Sequence, residues 1–192
     1  DYGPLAEFRR ELESVDPQIT GRPISTLHSL EQMFDGFVES SLLAGVIIFL
    51  CVWIDLRRLT DTLLAILPLV GGGISMFGIM GWLNVDLNPA NLITLPLIIG
   101  IGVDYGVHVV HDYRHQQGRY VLGWTFGRSL ILNSLTTIIS FATLALAPHW
   151  GMISIGVSLA IGVVCCSLHA LILLPAILSM LTRHRDRHVG ED

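Results

Sequence analysis

Charge is scarce in this chain. Only 14% of its 192 residues are Asp, Glu, Lys or Arg, against about 25% in a soluble globular domain. Lysine is absent, so all eleven basic residues are arginine. The formal net charge is −5, which argues against a nucleic-acid partner. Cysteine is sparse as well. Cys51, Cys165 and Cys166 all lie inside apolar runs with no metal-ligand spacing, so they read as helix-packing residues. There is no Walker loop, no Ser/His/Asp arrangement and no firm metal cluster. An enzyme is therefore not expected, ATP is not the expected energy source, and no cofactor is implied. The chain begins with Asp1 and shows no leader-like n-region or h-region, and it reads as a piece of something longer.

Apolar sequence is what the chain has in quantity: 52% of residues are hydrophobic and the mean hydropathy is +0.62. A membrane-spanning helix needs roughly 20 mainly apolar residues. Five such runs occur, at 37–54, 62–83, 90–111, 129–147 and 152–181. The expected fold is an all-α integral membrane protein, a five-transmembrane-helix bundle over 37–182. Residues 1–24 are polar and punctuated by Pro17 and Pro23; they read as the end of an extracytoplasmic domain. Leu27, Leu30, Phe34 and Phe37 then recur at helical spacing, with Ser25 placed to cap them. Residues 25–36 are thus expected as an amphipathic lead-in helix, and 183–192 as a cytoplasmic tail.

Arginine placement orients the bundle. Arg57 and Arg58 separate the first two spans. Arg114, Arg119 and Arg128 separate the third and fourth, and Arg183, Arg185 and Arg187 follow the fifth. The alternate loops, 84–89 and 148–151, carry no basic residue. Basic loops face the cytoplasm, so the N-terminus is expected outside and the C-terminus inside a multi-pass protein of the cell (inner) membrane. Trp53, Trp82, Trp124 and Trp150 all fall at span ends, where amphipathic rings prefer to sit.

Asp104 is read as the one ionisable residue inside the bilayer. It is the fifteenth residue of the third run, about 20 Å below the outer edge at ~1.5 Å per residue. A carboxylate there is costly unless it faces a polar interior or neutralises, so the expectation is a proton or cation site; a structural carboxyl bonded to hydroxyls is the alternative. Tyr105 cannot share its face and is placed either to reach a carboxylate on another helix or simply to pack. His108 and His111 follow on the Asp104 face. They pass protons inward or merely end the helix. His108, His111, Asp112 and His115 also have ligand-like spacing, a weaker reading. In the fourth run Ser129, Asn133, Thr136, Ser140 and Thr143 form a polar stripe, with Thr137 beside it. Such stripes face other helices, and this one is expected to look at Asp104 or to serve as packing glue. Glycines crowd the second span and surround Asp104, while Pro68, Pro96 and Pro175 interrupt three spans.

The run NPANLITLPLIIGIGVDYGVHVVHDYR (88–114) resembles the RND superfamily of membrane transporters, in particular the MMPL-type lipid exporters and hopanoid-transporter-like proteins. SLTTIISF (134–141), the PHWG loop (148–151) and the Leu174-Pro175-Ala176 ending are similar too. The resemblance implies half of an RND-type transporter membrane domain, the five helices that follow an extracytoplasmic domain in the C-terminal repeat. It also implies a proton relay through Asp104 and Tyr105, membrane lipids and a lipid or hydrophobic substrate as partners, and a second repeat or subunit to complete the path. A proton-motive-force-driven exporter is the leading expectation. A sterol-sensing-like module, which binds a membrane lipid without coupled transport, is the alternative; Asp104 favours the exporter.

Overall fold

The computed structural model describes residues 22–85, 88–116 and 120–189. Five helices in it are long and apolar enough to cross a membrane: Gln32–Leu56, Leu59–Trp82, Ala90–His115, Trp124–Leu146 and Trp150–Arg183. No strand occurs among the described residues. Helix satisfies every backbone N–H and C=O within the segment, which is what a hydrocarbon surround requires. The chain is an all-α, multi-pass integral membrane protein. The segment read as the end of an extracytoplasmic domain lies outside the described residues, apart from its last few positions.

Helix α1 (Arg22–Leu56) is continuous, so the amphipathic lead-in and the first span form one rod. It stops at Arg57, whose backbone is left-handed at φ 53° and whose N–H still bonds the Trp53 carbonyl. Helix α2 (Leu59–Trp82) follows at once and runs through Pro68. It ends with Asn84 at φ 53°, a conformation that asparagine tolerates better than most residues, and Val85 N–H closes on the Met80 carbonyl.

The third span opens with a separate turn, α3 (Pro89–Leu92). Asn88 and Asn91 form a reciprocal capping box, each side chain accepting from the other's backbone N–H. Both amides also reach Ser154 Oγ, at 2.7 and 3.1 Å. Helix α4 (Thr94–His115) starts after Ile93, so this staple to the facing helix fixes where Asp104 sits. Helix α5 (Trp124–Ala142) tightens into a 3-10 turn over Thr143–Leu146. Helix α6 (Trp150–Leu168) passes through a π-turn, His169–Leu173, into α7 (Leu174–Val189).

Helix α2 is the centre of the bundle, packed between α4 and α6, with α1 outside α4 and α5 outside α6. Its buried residues, Asp61, Thr62, Ala65, Pro68, Gly72, Met76 and Met80, recur at three- and four-residue spacing, one stripe of the helix. Three glycines let the backbones close. A Cβ on Gly106 of α4 would overlap the Ala65 carbonyl; one on Gly72 would meet the Cys166 backbone at 2.7–2.8 Å; one on Gly162 would meet Ile98 at 2.6 Å. Without a water-driven hydrophobic force between helices, such close van der Waals contact carries much of the association. Gly73, Gly78, Gly81 and Gly100 face open space. Trp82, Trp124 and Trp150 stand exposed at span ends, with Trp53 half-exposed.

Candidate functional site

Asp104 lies near the middle of α4, about 15 Å from either end at ~1.5 Å per residue. The helix continues to His115, past the run read from sequence, so the carboxyl lies closer to the middle of its helix than to the middle of that run. Its side chain points outward: 55% of it is exposed, as is 55% of His108, whose Nε2 lies 3.4 Å from Asp104 Oδ1. Tyr105, one residue on and about 100° around the helix, turns into the bundle and is 1% exposed. Its hydroxyl is buried close to Thr137 of α5, without a well-formed hydrogen bond to it or to any other described residue. That is an unusual condition for a phenol in a low-dielectric surround.

Asp104 and Tyr105 border a recess of about 430 Å³ between α4 and α5, completed by Pro96, Leu97, Gly100, Ile101, Asn133 and Thr137. The polar stripe of α5 therefore meets Asp104 in part. Asn133 and Thr137 enter the recess, whereas Thr136 and Ser140 lie on the exposed surface beside it. The hydroxyls of this stripe donate along their own helix: Thr136 and Thr137 to the Asn133 carbonyl at 2.8 and 2.9 Å, and Ser140 to the Thr136 carbonyl at 2.8 Å. Ser129 and Thr143 do the same with the carbonyls of Thr125 and Ser140. The hydroxyls so engaged keep acceptor lone pairs facing outward. The face made by Asp104, His108, Asn133, Thr136 and Ser140 is thus polar and exposed, on two helices long and apolar enough to cross a membrane.

The arginine-bearing end of the bundle carries a second polar layer. His111 turns to α1, where its Nε2 is 2.8 Å from Asp55 Oδ2. Arg114 Nε stands 3.5 Å from Asp61 Oδ2 of α2, and Asp61 is buried. Asp112 accepts from Tyr120 Oη and Gln116 Nε2, each at 3.0 Å. Tyr120 packs edge-on against Tyr113, with ring centroids 5.6 Å apart, and its backbone N–H reaches Thr182 Oγ1 of α7 at 3.3 Å. Burial, reinforced by the Asp112 hydrogen bond and charge, pushes the Tyr120 phenol far above its ordinary value, so it remains a neutral donor. The histidine and aspartate side chains of this layer go to separate partners, and no group able to hold a metal occurs among the described residues.

Sequence reasoning missed three of these groups. Asp55 and Asp61 sit where spans end and begin, positions at which a carboxylate is unremarkable until its partner is known. His169 is a further ionisable side chain within a span. Its Nδ1–H donates to the Cys165 carbonyl, 2.8 Å away, and its ring covers Gly71. Its place at the start of a π-turn is the signal that the sequence does not display.

The chain matches the MMPL family over residues 5–191. It is 30% identical, across its whole length, to the hopanoid transporter HpnN of Rhodopseudomonas palustris, and 32% identical over 91% of its length to that of Burkholderia multivorans. It is similar also to the probable trehalose monomycolate exporter MmpL3 of Mycobacterium leprae, 31% identical over 64% of the chain and 14% of that protein. The chain spans about a fifth of the length of the two hopanoid transporters. Five apolar helices long enough to span a membrane and this match over nearly every residue agree: the chain belongs to the MMPL family.

Proposed function

We propose that this chain is the membrane portion of a proton-motive-force-driven exporter of lipids or other hydrophobic molecules, with Asp104 and Tyr105 in its proton relay. The observation that carries the reading is the Asp104 carboxyl itself, midway along an apolar helix long enough to cross a membrane and half-exposed on the outer face of the bundle. A charged group so placed cannot be left in hydrocarbon. It takes up a proton, or another polar surface covers it. Both happen in a relay that cycles. The exposed amide of Asn133 in the same recess is a group that such a cover would engage, while the Tyr105 hydroxyl, buried within the bundle, is reached only when α4 and α5 part.

The other repeat of the intact transporter, or a second subunit, supplies the cover. The arginine-bearing end faces the cytoplasm, by the bias of basic residues to that side; the beginning of α1 then faces outward and the protein resides in the inner membrane. Protons enter the recess from outside and leave past His108. The named relatives carry hopanoids or trehalose monomycolate, and a lipid is accordingly the substrate class.

The test is export in sealed vesicles under an imposed pH gradient, comparing the intact protein with Asp104→Asn. Asparagine preserves size and hydrogen bonding but cannot cycle a proton. Loss of gradient-driven flux by about 100-fold or more, the scale of a proton-transfer contribution, with insertion intact, is the expected result. Unchanged flux sinks the relay and favours a lipid-sensing role for the same five helices.

A further inference from the structure

Helix α1 is the longest element, unbroken over Arg22–Leu56, about 50 Å at ~1.5 Å per residue. It is also the most lightly held. Among its described side chains only Ser41, Val52 and Leu56 are buried. Ser40 and Ser41 bond carbonyls of α1 itself. At its foot, Asp55 meets His111 of α4 at 2.8 Å, with both side chains about half exposed. His111 stands two turns beyond Asp104 on the same helix, and His108 lies between them.

The geometry points to a proton-dependent clasp at Asp55–His111 that joins the foot of α1 to the helix carrying Asp104. With His111 protonated, the pair is an ion pair as well as a hydrogen bond; with His111 neutral, the Asp55 carboxylate still accepts an N–H, but the attraction between opposite charges is gone. Imidazole changes charge within the range that biology varies. The pair therefore reports the proton supply at the arginine-bearing end and sets how firmly α1 is tied to α4. A continuous helix carries a shift at its foot to its far end, so the clasp links protonation at one face of the membrane to whatever adjoins Arg22 at the other.

The surroundings leave this pair free to respond. From α4 itself, Asp112 is bound by Tyr120 and Gln116, and Arg114 by Asp61 of α2. His108 lies against Asp104, and His115 is exposed. Arg57 and Arg58 form the turn between α1 and α2. From α6 and its π-turn come only Cys165, Cys166 and His169, and the histidine is turned to Gly71 and the Cys165 carbonyl. On α7, Arg183 is exposed. None of these stands within hydrogen-bond distance of the His111 ring, where Asp55 does.

The role of the clasp in transport rests on the relay proposed above; its response to pH does not. The experiment places nitroxide labels at Leu50→Cys and His115→Cys, both exposed positions, in the intact protein in liposomes. The exposed Cys51 is replaced by alanine, and the label separation is measured at about pH 5 and about pH 8, the range over which imidazole discharges. The expected result is a longer, broader separation at the higher pH. Asp55→Asn and His111→Gln each abolish that difference, and Asp55→Glu preserves it. An identical distribution at both pH values in the otherwise native protein overturns the clasp, as does an Asp55→Asn protein that still follows pH. Flux through Asp104→Asn is read in parallel. A failed relay leaves flux intact and the label response present; a failed clasp leaves flux gradient-dependent and the label response absent.

Discussion

Gly106 shows how much a single atom decides when two membrane helices touch through their backbones. A Cβ there would occupy the place of the Ala65 carbonyl oxygen, which is backbone and cannot rotate away. Gly106→Ala therefore forces α4 and α2 apart, and overpacking of this kind costs about 1–3 kcal/mol. Gly78, on the same helix as Ala65, meets nothing within 4 Å, so Gly78→Ala strains nothing and stabilises the helix by about 0.4–1 kcal/mol. Thermal denaturation of the two variants in one detergent checks the contrast. Equal melting temperatures would mean that the α2–α4 approach is looser than described. Both glycines look alike in sequence, where each is one of 19. Asp104 did stand out by composition alone, as a carboxyl deep within an apolar run. Its outward direction was not legible, because one helix's pattern defines a face without saying which neighbour that face meets. Asp55 and His111 were illegible for the same reason: they lie 56 residues apart, and only the packing of α1 on α4 unites them.

At the scale of elements, the five spans were legible because lipid imposes a length and a composition on each helix, and the arginines mark the loops between them. The internal breaks were less so. Pro96 was the expected interruption of the third span, yet the break falls at Ile93, where the Asn88–Asn91 box closes a turn of its own; Pro96 lies in the first turn of α4, where its missing N–H costs nothing. In the fifth span Pro175 lies just beyond the π-turn His169–Leu173. A π-turn amounts to one extra residue within an α-helix, and this one sets the rotation of α7 so that Leu174, Leu178 and Thr182 are buried. Deleting the exposed Ile172 removes that extra residue and lets the segment close in α register with those three side chains still on the core, whereas inserting one alanine after Ile172 adds a second extra residue and turns α7 by about 100°. The expected outcome is a deletion variant that melts close to its parent and an insertion variant that inserts poorly or melts well below it. An insertion variant with unaltered melting would show that α7 contributes little to the bundle.

At the scale of the whole molecule, the five helices present two kinds of outer surface. Leu42, Leu43, Val46 and Ile47 on α1 and Ile131 and Leu135 on α5 are exposed and apolar, as lipid demands. Asp104, His108, Asn133, Thr136 and Ser140 are exposed and polar at the same depth. Hydrocarbon cannot cover both equally well, since an ionisable group at the bilayer centre faces a bundle interior or a water-filled cavity. On the function proposed above, the second surface would be a seam against another polar face. Leu135 and Thr136 make the comparison clean, because they are neighbours at one depth and about 100° apart around α5. Nitroxides placed singly at the two positions in liposomes should differ: the label at Leu135 collides freely with lipid-dissolved oxygen, and the label at Thr136 is shielded. If both collide alike, the polar face lies open to the bilayer. Asp104 must then be held neutral by hydrocarbon alone, and a relay that needs a partner across the seam has nowhere to pass its proton.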